Sequence, residues 1–83
     1  MLVQNQLSFH NAVAVDVSSA DQDFAPTLRG ILLDTAGTVT VDLDGGTENI
    51  ALPLQAGLTA AAITKVYQTG TDEAIRSSMV GVY

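Results

Sequence analysis

The stretch Thr38-Val39-Thr40-Val41-Asp42-Leu43-Asp44-Gly45-Gly46-Thr47-Glu48-Asn49-Ile50-Ala51-Leu52-Pro53-Leu54 decides the fold class of this 83-residue chain. From Thr38 to Asp44 it alternates without a fault, with Val39, Val41 and Leu43 on one side and Thr or Asp on the other. That is the period of a half-buried strand. Gly45-Gly46 supplies the positive φ of a tight hairpin turn. The return strand, Thr47 to Leu54, puts Ile50, Leu52 and Leu54 on the inward parity. The pattern predicts an antiparallel hairpin whose core face is Val39, Val41, Leu43, Ile50, Leu52 and Leu54.

Upstream, Leu28-Arg29-Gly30-Ile31-Leu32-Leu33 reads as a short apolar strand stopped by the turn Asp34-Thr35-Ala36-Gly37. Gly30 inside that run marks a bulge or a close backbone approach. Pro26 pushes Ala25 toward extended geometry. Residues 1–24 are weakly organised: Leu7, Phe9, Val13 and Val15 share a parity that Asn11 breaks, and Ser18 to Asp23 is a polar loop. They read as an N-terminal arm or edge strand plus loop, ahead of a single β-domain over 25–83. Downstream of the hairpin, Gln55-Ala56-Gly57 is a turn. Leu58 to Ile63 is Ala-rich and suits a helix, whereas Ile63-Thr64-Lys65-Val66-Tyr67 is β-branched and aromatic and suits a strand. A strand is expected from about Ala61. After the turn Thr69-Gly70-Thr71-Asp72, a last strand over Ile75 to Tyr83 closes the chain on Met79-Val80-Gly81-Val82-Tyr83. Those last five residues carry no charge to blunt an edge. Short strands separated by turns, with no internal repeat, predict an all-β fold: a small β-sandwich or barrel of short antiparallel strands with an extended N-terminal arm.

Composition narrows the chemistry. The chain has no Cys and no Trp, and only His10 among histidines. Disulfides, thiolate metal sites, cysteine nucleophiles and a histidine metal cluster are therefore excluded within one chain. A domain this small is marginal without staples, which leaves oligomerisation as the expected support. Nine acidic and three basic residues give a net charge of −6. Arg29, Lys65 and Arg76 are scattered, so the clustered cations that nucleic acid or an anionic membrane would need are missing. No stretch reads as a targeting signal or membrane span, and synthesis in a cytoplasm is expected.

Catalysis finds little footing. His10 lies in the least organised stretch, and no Ser sits in a Gly-x-Ser-x-Gly elbow. Asp42 and Asp44 share a strand face, but it is the polar side of an amphipathic hairpin, where solvation is the plain reading. The string Asp42 to Glu48 lacks the third ligand that a calcium loop places before its glycine. Gly30, Gly37, Gly45 and Gly46 match no phosphate-loop spacing. No enzyme, cofactor or metal is expected. With Phe9, Phe24, Tyr67 and Tyr83 as the chain's aromatics, few can serve as a sugar platform.

Several pieces stand in a distinctive order: Arg29-Gly30-Ile31-Leu32-Leu33, Thr35-Ala36-Gly37-Thr38-Val39-Thr40-Val41, Leu52-Pro53-Leu54-Gln55-Ala56-Gly57, Ile63-Thr64-Lys65-Val66-Tyr67, Thr69-Gly70-Thr71-Asp72 and Val80-Gly81-Val82-Tyr83. Over Pro26 to Tyr83 the chain resembles the small spike-base family of gene transfer agents and related tailed phages. The segment Asp72 to Met79 is more charged and longer than that pattern, and residues 1–17 match none of it. The resemblance implies a virion structural protein on the outer capsid surface, a head spike base or a decoration protein. Such a protein self-associates as a pentamer or trimer and docks on the major capsid protein, with a spike or fibre protein as a further partner. The residues expected at subunit interfaces or at the shell are Leu2, Leu7, Phe9 and Val13 of the arm, Arg29, and Val80, Val82 and Tyr83 of the terminal strand. The competing expectations are a tail-tip or fibre adaptor and a small ligand-binding β-domain.

Overall fold

The computed structural model describes residues 10–83. The elements are β1 (Ala12–Val15), β2 (Gln22–Leu33), β3 (Gly37–Leu43), β4 (Ile50–Leu54), β5 (Gly57–Val66), a 3-10 turn (Glu73–Ile75) and β6 (Met79–Val82). The fold is all-β. One six-stranded sheet runs in the order β1-β6-β2-β5-β3-β4, and every pairing is antiparallel.

The hairpin forms in the expected register, with Val39 opposite Leu52 and Val41 opposite Ile50. Val39 and Val41 are fully buried, while Leu43, Ile50, Leu52 and Leu54 pack half-buried against the same core. The turn is longer than the tight hairpin predicted, because β4 begins at Ile50 and not at Thr47. Residues 44–49 are all exposed and carry no apolar side chain that pairing would bury. The loop is closed instead by Leu43 N–H donating to Thr47 O (2.8 Å), with Gly46 at φ 103° and Asn49 at φ 55°.

A single sheet needs a way to make an inside. Gly57 pairs with Leu33, and the Asp72 N–H donates to Thr38 O (2.9 Å), so two points fifteen residues apart flank the same short β2–β3 turn. Extended chain of that length would reach about 50 Å. The β5 strand and its continuation must therefore double back, which lays one half of the sheet over the other. Between the halves lie Val15, Val17, Leu28, Ile31, Val41, Ile63, Val66, Ile75 and Met79, each 2% exposed or less.

This folding-over also explains why Thr40, on the nominally polar parity of β3, is 4% exposed. Residues 67–72 run beside β3 and cover it. Tyr67 N–H donates to Thr40 O (2.8 Å), and the Thr71 hydroxyl accepts from Thr40 N–H (3.2 Å) while donating to Tyr67 O (2.6 Å).

Three expectations are corrected. The whole of Gly57–Val66 is strand, because pairing Leu58 with Leu32 and Ala60 with Gly30 outweighs the helix propensity of its alanines. Of the two readings of residues 1–24 the described part fits the edge strand, with β1 at the sheet edge, but the boundary at residue 24 falls too late: β2 begins at Gln22, and Val15 and Val17 are fully buried. The terminal strand is not an open edge. It lies between β1 and β2, and Ile75 belongs to the preceding 3-10 turn. Gly30 meets the close-approach expectation, since an added methyl would lie 3.0 Å from Thr59 O, while the register shift beside it places its extra residue on β5.

The true edges, β1 and β4, are both blunted. Asn11 and Tyr83 exchange two backbone hydrogen bonds, which by alternation turns the Ala14 carbonyl outward. The Gln22 side chain occupies that edge, donating from Nε2 to Ala14 O (3.3 Å) and accepting from Asp16 N–H at Oε1 (2.9 Å). On β4, Thr38 N–H points away from its neighbour Pro53, toward the Asp72 carboxylate (2.9 Å). Pro53 therefore faces the open edge, where it offers no donor.

Candidate docking face

The registers bring two rows of side chains together on the face of the sheet away from the core. Ala12, Val82, Gly30 and Ala60 form one row across β1, β6, β2 and β5, and Ala14, Val80, Leu32 and Leu58 form the next. Two observations fix the side. Val82 is 3% exposed yet stands outside the core cluster. A methyl on Gly30 would point at Leu58 Cδ1 (3.0 Å) and Val82 Cγ2 (3.4 Å), so Leu58 lies over the space the glycine leaves. No residue of either row has a charged or hydrogen-bonding side chain, in a chain whose net charge is −6. Leu58, at 39%, is the exposed large apolar side chain among the described residues.

A second concavity lies on the core side. Between Asp23–Lys65 and Leu28–Ile63 the register slips, and the intervening residues of β2, which include the cis Ala25–Pro26 peptide, have no register partner on β5. Val13, Phe24, Pro26, Leu28 and Tyr83 wall a groove of about 140 Å³ with Asp23 beside them. Lys65 faces Asp23 in register, but its ammonium stands 5.0 Å over the ring of Tyr67.

The predicted site residues thus separate into two places. Val80 and Val82 lie on the uncharged face, and Val13 and Tyr83 line the groove. Arg29 is exposed on β2 between Leu28 and Gly30, where the register shifts. Leu2, Leu7 and Phe9 lie outside the described residues. Leu58, Leu32, Ala60 and Phe24 were missed. Leu58 to Ile63 is almost uniformly apolar, so no parity is visible in it, and only pairing assigns Leu58 and Ala60 to the outer side.

Of the acidic pair of the hairpin, Asp42 has a structural task. The Asp42 carboxylate accepts from Asn49 N–H (2.8 Å) and from the Tyr67 hydroxyl (2.7 Å), tying the loop to the segment that follows β5. That hydrogen bond, reinforced by desolvation and the negative charge, pushes the Tyr67 phenol up to about 12. Among the described residues no three His, Asp or Glu side chains converge as a metal site would require, and no helix is long and apolar enough to cross a membrane. Comparison with family models, with curated proteins and with solved structures finds no match to this chain.

Proposed function

We propose that this chain is a virion structural protein of the outer capsid surface, a head spike base or decoration protein, that self-associates and docks on an icosahedral shell. The observation that carries the reading is the uncharged two-row face. It is a strip without charged or hydrogen-bonding side chains, exposed at Ala12, Ala14, Leu58 and Ala60, on a small acidic domain whose sheet edges are otherwise protected, and it is the surface that supports docking on another protein. The resemblance supplies the class of partner. Its pieces fall on the parts that hold this architecture together: Arg29 to Leu33 in β2, the hairpin, the Pro53-to-Gly57 turn, the Thr69-Gly70-Thr71 cover over Thr40, and β6 between two strands. The partner is then the major capsid protein, with a spike or fibre above, and the location is the virion.

The test is cryo-electron microscopy of particles assembled with and without this chain. Density on the outer shell that disappears with the chain is the expected result. Particles that never contain the chain, or that carry it only at the tail, refute the assignment.

A further inference from the structure

The face and the groove sit on opposite sides of the sheet. The face lies away from the core cluster, whereas Val13, Phe24, Leu28 and Tyr83 of the groove belong to that cluster or pack on it. One protomer cannot satisfy both patches with itself. Their chemistry matches, however. A cavity of about 150 Å³ accepts a benzene-sized guest, so a groove of about 140 Å³ accepts one leucine side chain. The exposed large apolar side chain is Leu58. The charged residue at the groove is the exposed Asp23, and the charged residue on β2 next to Gly30 of the face is Arg29, also exposed.

We infer that a second copy of this chain occupies the groove: Leu58 of one protomer seats between Phe24, Pro26 and Tyr83 of the next, with Arg29 of the first set against Asp23 of the second. The inference rests on the self-association proposed above and names its surfaces. Packing one face on the same face of another copy is the weaker alternative. From strand spacing and rise, the two rows cover roughly 270 Å², about a third of the roughly 800 Å² per partner of a standard interface. A head-to-tail contact uses both patches of every protomer. It also sets cation against anion, where identical faces of a chain of charge −6 would gain no attraction. Because its two halves differ, the contact is heterologous and propagates until it closes into a ring.

The test uses surface variants that leave the core untouched, checked by circular dichroism and followed by sedimentation velocity up to hundreds of micromolar. Wild type forms closed oligomers, and Leu58→Asp and Asp23→Arg are each monomeric. Mixing these two variants produces a 1:1 dimer and nothing larger, because one retains an intact groove and the other an intact face. Arg29→Asp loses association to the same degree as Asp23→Arg, and combining the two recovers most of the wild-type affinity, since like charges facing each other are relieved. A monomeric wild type, a mixture that stays monomeric, or a double reversal that recovers nothing overturns the inference. Variants that lose the ring but still attach to particles would leave the capsid reading standing, so the two can fail separately.

Discussion

Two glycines with the same sign of φ separate backbone strain from steric conflict. Gly46 (φ 103°) sits in the exposed hairpin loop, and an added methyl there would meet nothing within 4 Å. Gly70 (φ 91°) lies over β3, where the same methyl would drive into the Thr40 hydroxyl and stand 3.2 Å from Thr40 Cβ. Holding a non-glycine residue in this region costs about 1–3 kcal/mol. Overpacking a buried contact adds about 1–3 kcal/mol, and Thr40 is only 4% exposed, with its N–H already engaged by Thr71. Gly46→Ala is therefore expected to cost about 1–3 kcal/mol and Gly70→Ala about 2–6 kcal/mol. A domain of this size has a total stability of roughly 4–12 kcal/mol. Urea titrations followed by far-ultraviolet circular dichroism give both values. Repeating Gly70→Ala in a Thr40→Ala background closes a double-mutant cycle, with an expected coupling of about 1–3 kcal/mol that favours the double variant. If Gly46→Ala costs as much as Gly70→Ala, or the coupling is zero, residues 67–72 do not press on Thr40 as described.

Val82→Asp should unfold the domain rather than dissociate an oligomer, because the site is 3% exposed and lies between β1 and β2. A folded variant by circular dichroism would contradict that burial. Removing residues 1–17 should abolish cooperative unfolding, since it takes away β1 and the fully buried Val15 and Val17. A stable, cooperative 18–83 fragment would overturn this account of β1. The Tyr67 phenol is held protonated by Asp42, so its contribution to stability is complete below the unfolded value near 10 and is lost as pH rises from there through about 12. Denaturation midpoints between pH 9 and pH 12.5 should fall more steeply for wild type than for Tyr67→Phe, and parallel curves would remove the role given to that hydrogen bond.

The hairpin was legible in the sequence because its evidence is local. Faultless alternation over Thr38 to Asp44, glycines in the turn and matching parity from Ile50 to Leu54 need no partner to be read. The all-β class followed from it, and Gly30 announced its close backbone approach. Three features depended on tertiary structure, each for a stated reason. Short apolar stretches carry no address, so Met79 to Val82 has the same composition at an edge or in the middle, and only its registers with β1 and β2 place it inside. Burial of the β3 polar parity came from residues thirty and thirty-one positions away, Gly70 and Thr71. The candidate face is written across four strands. Ala12, Gly30, Ala60 and Val82 are remote in sequence, and Leu58 sits in a run with no visible period. Sequence by itself therefore determined that Thr38 to Asp44 and Ile50 to Leu54 extend as a hairpin and which of its apolar side chains turn to the core. Only the pairing registers, set by long-range burial that must offset the entropy of closing long loops, decided which small apolar residues became neighbours and formed a surface.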